Sequence, residues 1–145
     1  MITVGDVMNM RAFDSIWLAT PCDGAAAREV TGVGTLDHEP FTGGYEVFTS
    51  GEFVFTTLGS AGVHPDLAEE ALLALIECGV AAVAVKPVVL KELPATVVQA
   101  SAARGVPVFF YEGRYMERVI ADLMNLLDDD AAEWERNHLI DLILA

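Results

Sequence analysis

The sequence predicts an α/β fold: a single domain with a mainly parallel or mixed sheet flanked by helices, ending in a long C-terminal helical segment. Three observations predict it. "VAAVAVK" (80–86) and "VPVFFY" (106–111) are short, unbroken apolar runs of the kind that sheets bury on both faces. Between and before them, Leu67, Ala71, Leu72, Leu75 and Ile76 recur at helical spacing. Pro65 and Gly79, then Pro94 and Gly105, bracket two helices with a proline start and a glycine stop. Strand, helix, strand, helix, strand implies right-handed crossovers and parallel pairing.

In chain order, "TVGDVMNM" opens with Thr3 and Asp6 at capping-box spacing, followed by Val7, Met8 and Met10, which predicts a short first helix. "IWLAT" predicts a strand and "PCDG" the turn that ends it. "REVTGVGTL" alternates as a second strand, with Gly32 and Gly34 as candidate bulges. "DHEPFTGGYEVFTSGE" is a long loop, and loops of that length in small domains tend to be functional or mobile. The next strand, Phe53 to Leu58, belongs to "GEFVFTTLGSAG", an apolar strand that runs into two threonines and a glycine-serine turn. From Arg114 onward, Met116, Ile120, Leu123 and Leu127 share one helical face, and Leu139, Ile140, Leu142 and Ile143 continue an apolar stripe to the last residue. The expected division is an α/β unit over 1–113 and a helical extension over 114–145. "NHLIDLILA" carries no stop signal, which is read either as the front portion of a longer protein or as an end that docks on a partner.

Composition narrows the function. The chain has 145 residues, enough for one core, and is 53% hydrophobic with a mean hydropathy of +0.42, so some apolar surface is expected to meet a partner. Twenty-two acidic against eight basic residues give a formal charge of −14, which repels phosphate backbones and argues against direct nucleic-acid binding by this chain. The acids concentrate in "LLDDDAAEWE", read as a solvated face. No run approaches the ~20 apolar residues of a membrane span, and the first residues lack the pattern of a secretory signal, so a cytoplasmic protein is expected. Cys22 and Cys78 have no partner at metal or redox spacing; Cys78 reads as a small core residue and Cys22 as a turn residue without a basic neighbour to activate it.

Four stretches, "MITVGDVMNM", "SGEFVFTTLG", "LIECGVAAVAVK" and "ELPATVVQASAARGVPVFFYE", occur in an order and spacing that resembles the N-terminal domain of the purine catabolism regulator (PucR) family, over about residues 1–127. The resemblance implies the first, signal-sensing domain of a bacterial transcriptional regulator, with dimerisation in a middle region and a DNA-binding helix-turn-helix at a far C-terminus. It implies no catalytic residues. The chain departs from the family pattern in "HEPFTGGYEVFTSGE" and in "TTLG", where "TTG" is usual. Both departures flank the expected pocket, so the effector need not be a purine or its breakdown product.

Ligands of open parallel sheets bind outside the carboxyl ends of the strands. Three such ends are legible: Thr56, Thr57 and Gly59, then Lys86, then Tyr111 with Glu112. The amides of Gly59, Ser60 and Gly62, ahead of the Pro65 helix, are candidates to receive a carboxylate or oxyanion, with Lys86 as the opposing charge. The loop lacks the lysine-serine ending of a P-loop. Taken singly, each residue has a plain structural role: threonines in a strand, a solvated lysine, a tyrosine anchoring the last helix. Asp37, His38 and Glu39, or His64 with Asp66, are poor metal sets because adjacent side chains of an extended strand point apart. Ser50, Ser60 and Ser101 lack a nucleophile elbow, and no histidine is placed as their base.

The expected protein is therefore a non-enzymatic sensory domain that takes a small polar or anionic effector, needs no cofactor or metal, and forms a homodimer. The alternative is a dimerisation module that binds nothing small, through Ile120, Leu123, Leu127 and Ile143. An enzyme or enzyme subunit, the third reading, has no candidate nucleophile.

Overall fold

A computed structural model describes residues 1–36, 47–61, 64–113 and 115–144 of the chain. Its sheet has five strands in the order β2 (Phe13–Leu18), β7 (Val108–Gly113), β6 (Ala82–Val85), β5 (Glu52–Thr56), β4 (Gly32–Thr35). The four strands from β4 to β7 are parallel, and β2 closes one edge antiparallel to β7. A small antiparallel pair, β1 (Ile2–Thr3) with β3 (Glu29–Val30), stands apart. The fold is thus α/β with a mixed, mainly parallel sheet.

The crossover helices form where the sequence predicts them. Helix α2 (Pro65–Glu77) starts on its proline, and Gly79 just beyond it takes φ +71°. Helix α3 (Ala95–Arg104) is capped by Gly105 at φ +70°. Only glycine adopts that left-handed conformation without steric cost, which is why both helices stop there. Helix α1 (Val4–Met8) carries the full capping box: the Asp6 amide donates to Thr3 Oγ1 at 3.3 Å and the Thr3 amide to Asp6 Oδ2 at 2.8 Å.

Strands β5, β6 and β7 follow one another in the sheet as they do in the chain. Crossovers of constant hand that advance in one direction leave their helices on the same face. That is observed: α2 and α3 both bury their apolar sides on Val54, Val83, Val85, Val108 and Phe110. Arg104 pairs with Glu77, and Thr96 with Glu69, to tie the two helices at the surface.

The other face carries Phe53, Phe55, Ala82, Ala84, Phe109 and Tyr111. Register explains its composition. Ala84 of β6 lies between Phe55 of β5 and Phe109 of β7. Alanines in the middle strand leave room for rings from both neighbours, and Phe53 and Phe109 reach across it to a centroid distance of 6.2 Å. Phe55 meets Tyr111 edge-on at 5.8 Å, and Phe13 of β2 joins both. Among the described residues, these rings are covered by Val4 and Val7 of α1 and by Met116, Val119 and Leu123 of helix α4 (Met116–Leu144).

Two expectations are corrected. "REVTGVGTL" is not one strand but β3 and β4, divided at Thr31 so that the two pieces serve different sheets. Gly32 and Gly34 form no bulge, since β4 keeps unbroken parallel register with β5. Gly34 instead clears space: a Cβ there would stand 2.5 Å from Glu52 Oε2 and 3.1 Å from the Phe48 ring. The first turns of α4, beyond residue 113, pack into the same core.

Arg28, which sequence reasoning passed over, holds the back of the domain together. Its Nε donates to the Ala81 carbonyl at 2.8 Å and its Nη2 to the Val80 carbonyl at 3.0 Å, while its own carbonyl accepts from Val4 at the start of α1. The Met1 ammonium meets Asp130 Oδ1 at 3.0 Å, a hydrogen bond that raises the amine's pKa and pins α4 to the N-terminus. Beyond that point α4 leaves the body of the domain.

The aromatic layer is a packing constraint that can be tested. Phe55→Ala opens a cavity and is expected to cost about 3–5 kcal/mol. Ala84→Leu drives a side chain into the Phe55 and Phe109 rings and is expected to cost about 1–3 kcal/mol. Urea denaturation with unchanged m-values reads both, and a neutral Ala84→Leu would contradict the packing described.

Candidate functional site

The register that pairs Thr56 with Val85, and Val85 with Phe110, places Thr56, Lys86 and Tyr111 on adjacent strands at the carboxyl edge of the sheet. Topology therefore brings together the three strand ends singled out in the sequence. Their side chains have different surroundings.

Thr56 is fully buried and works for the fold. Its hydroxyl donates to the Leu36 carbonyl at 2.7 Å, fastening the end of β4 to that of β5, and accepts from the Leu58 amide at 2.9 Å. Leu58 is the described non-glycine residue with positive φ, at +59°. A left-handed leucine costs about 1–2 kcal/mol of backbone energy. Complete burial of its side chain in the α2 face, together with the Thr56 hydroxyl on its amide, offsets that cost. "TTLG" is thus a turn in which the additional leucine anchors the strand end to the core.

Thr57 is half-buried, and its Oγ1 accepts from the Gly59 amide at 3.1 Å. The Gly59 amide, expected to be open to an anion, is therefore satisfied within the turn. Gly59 and Ser60 lie in a short 3-10 turn, Gly59–Ala61, whereas Gly62 falls outside the described residues. Lys86 is half-buried, and its Nζ reaches from β6 to the Gly113 carbonyl at the end of β7, 3.4 Å away. Tyr111 is buried in the aromatic layer, so it shapes the edge from beneath, while Glu112 is exposed.

A crevice forms where successive helices leave a parallel sheet on opposite sides. Here α2 and α3 lie on one face and α4 on the other. The change of side falls between the ends of β6 and β7, the gap that Lys86 spans. Beside it is an open cleft of about 510 Å³, lined by Arg11, Ala12 and Asp14 from the start of β2 and by Tyr115, Arg118 and Asp122 from the start of α4. Sequence reasoning missed these residues. Arg11 and Arg118 are two of only eight bases in the chain, but nothing in their local pattern joins positions so far apart.

The expected dimerisation stripe is divided. Leu123 is completely buried and closed to any partner, and Ile120 and Leu127 are partly buried against the same core. A 3.6-residue stripe marks a buried side of a helix without saying what buries it, and here the sheet does. Ile143 alone of the four is largely exposed, with Trp134 and Leu139 on the same half of α4. Trp134 stacks on His138 one turn away, centroids 4.9 Å apart.

Nucleophilic and metal chemistry find little footing. Ser101 is buried, donates to the Val106 carbonyl at 2.6 Å, and lies 2.7 Å from the Thr20 hydroxyl, which accepts from the Val108 amide at 3.1 Å. One proton on each hydroxyl satisfies this chain if Thr20 donates to Ser101, so the serine joins α3, β2 and β7. Burial pushes the Cys22 thiol up, away from the reactive thiolate. Cys78 packs against the α2 face. No group of three or more metal-ligating side chains occurs among the described residues; Asp37, His38 and Glu39 lie outside them. No helix among the described residues is long and apolar enough to cross a membrane.

Thr56→Val keeps the shape and removes the hydroxyl, stranding the buried Leu58 amide and Leu36 carbonyl. It is expected to cost about 1–3 kcal/mol. Thr57→Ala, in the half-exposed position, is expected to cost under about 1 kcal/mol. Equal losses in thermal denaturation would contradict the division of roles.

Comparison with known proteins places this architecture. No curated protein gives a significant match. The model of the purine catabolism regulatory protein-like family matches residues 6–127, which runs from within α1 to the core-packed turns of α4. The chain belongs to that family, and its domain is of the transcription-regulator type.

Proposed function

We propose that this domain is the ligand-sensing part of a bacterial, cytoplasmic transcriptional regulator, and that a small polar or anionic metabolite binds at the carboxyl edge of the sheet. The observation that carries the reading is the change of side between β6 and β7. Helix α4 starts at that crevice, covers the aromatic face, and then continues past Asp130. At 29 residues it is about 44 Å long, so a change at its first turn is carried well beyond the body of the domain. A formal charge of −14 supports leaving DNA contact to other regions of the regulator. The reading assigns no catalytic step.

Thermal denaturation of the 145-residue chain with purines, ureides, amino acids and small carboxylic acids tests it. A ligand at about a hundred times its dissociation constant adds ~2.7 kcal/mol, which raises the midpoint by about 5–10 °C in a domain of this size. Lys86→Met is expected to reduce that shift. A ligand whose affinity is indifferent to every substitution at this edge would place sensing elsewhere.

A second reading, homodimerisation without a small ligand, is favoured by the exposed Trp134, Leu139 and Ile143 on the projecting half of α4. It requires self-association that Trp134→Ala combined with Ile143→Asp abolishes. Sedimentation equilibrium showing a monomer at high micromolar concentration removes it.

A further inference from the structure

The cleft between β2 and α4 has a charge pattern that the reading above does not use. Its lining holds two guanidinium groups, Arg11 and Arg118, and two carboxylates, Asp14 and Asp122, with the Tyr115 ring beside them. Arg118 and Asp122 form an i,i+4 pair at 3.8 Å, too long for a direct hydrogen bond. No hydrogen bond or ion pair joins the charged group of Arg11 or of Asp14 to another described residue, although they stand three positions apart at the same lip. In a chain whose acids outnumber its bases 22 to 8, equal numbers of each among the described lining residues are a local departure.

We infer that this cleft binds a small zwitterion, an amino-carboxylate, with its carboxylate between Arg11 and Arg118 and its ammonium between Asp14 and Asp122. The balance of the described lining residues points to the class. A simple anion meets two arginines but also two carboxylates that repel it, and a simple cation meets the reverse. A molecule that carries both charges satisfies all four groups, and arginine's planar fork suits a carboxylate in particular. The volume of about 510 Å³ is within the range of small-molecule sites and leaves room for a side chain against Tyr115.

Place gives the site a consequence. Three of the lining residues belong to the entry and first two turns of α4, and three to the lead into the antiparallel edge strand β2. A bound zwitterion bridges the two and holds the start of α4 against β2. The inference rests on the sensor reading and names its ligand class and its contact with the helix.

Isothermal titration of the 145-residue chain with each of the twenty L-amino acids tests the inference, with acetate and ethylamine as the separated half-charges. At least one amino acid is expected to bind while neither half does. Arg11→Gln and Asp14→Asn, both at exposed positions where folding is not at stake, are each expected to weaken it about tenfold or more. Arg104→Gln, at the exposed end of α3 on the opposite face of the sheet, leaves the affinity unchanged. Absence of binding by all twenty at 10 mM overturns the zwitterion assignment, while a hit from the wider metabolite panel would still uphold the sensor. Binding that is lost in Lys86→Met but indifferent to Arg11→Gln and Asp14→Asn overturns the cleft and keeps sensing at the neighbouring strand ends. Binding of acetate as tight as that of the best amino acid overturns the class.

Discussion

One-way winding of the parallel sheet is the constraint on which the rest of this structure depends. From β4 to β7 each strand is added on the same side of the last, and crossovers of one hand then place α2 and α3 on one face. The opposite face receives no crossover helix among the described residues. It is nonetheless built of Phe53, Phe55, Phe109 and Tyr111, side chains that a soluble fold does not leave in water. Everything at the two ends of the chain follows from the need to cover them.

The N-terminus answers with a capped helix of five residues, the β1–β3 pair and the grip of Arg28 on the carbonyls ahead of β6. The C-terminus answers with α4, which must leave β7 on the side that α3 does not occupy. That single departure creates the crevice at the carboxyl edge. It also makes the helix covering the core the same helix that lines the cleft and projects from the domain. Cover of the core and lining of the cleft are therefore one element, and the proposed ligand at its first turn would act on a piece of the core.

The strand ends also divide the labour between fold and function. Thr56 and Tyr111 lie within the core, and the Gly59 amide is held by Thr57, so the most conspicuous polar residues of the "TTLG" turn maintain the edge. Lys86, which bridges β6 and β7, is the strand-end residue that stays at the crevice itself. The threonines and glycines of this turn are explained by a strand end pinned to its neighbour and by a left-handed leucine sunk in the core. The charges suited to a ligand stand to one side, on β2 and α4.

The sequence by itself determined the elements and most of their limits. The capping box of Thr3 and Asp6, the proline-to-glycine frames of α2 and α3, and the unbroken apolar runs of β6 and β7 are local signals, set by backbone geometry and burial within a few residues, and each is realised in the fold. The same signals marked Thr56, Lys86 and Tyr111 as strand ends, and a parallel sheet had to bring them to one edge. Tertiary structure alone decided what lies against what. The stripe of Ile120, Leu123 and Leu127 states that one side of a helix is buried, but only the uncovered aromatic face shows that the domain's own sheet buries it. Likewise, Gly34 reads as a bulge until Phe48 and Glu52 are seen to occupy the space of its missing side chain. The cleft brings positions 11–14 beside 115–122, and the pairing of Phe13 with Gly113 that joins them is a contact across a hundred residues, which no local periodicity encodes.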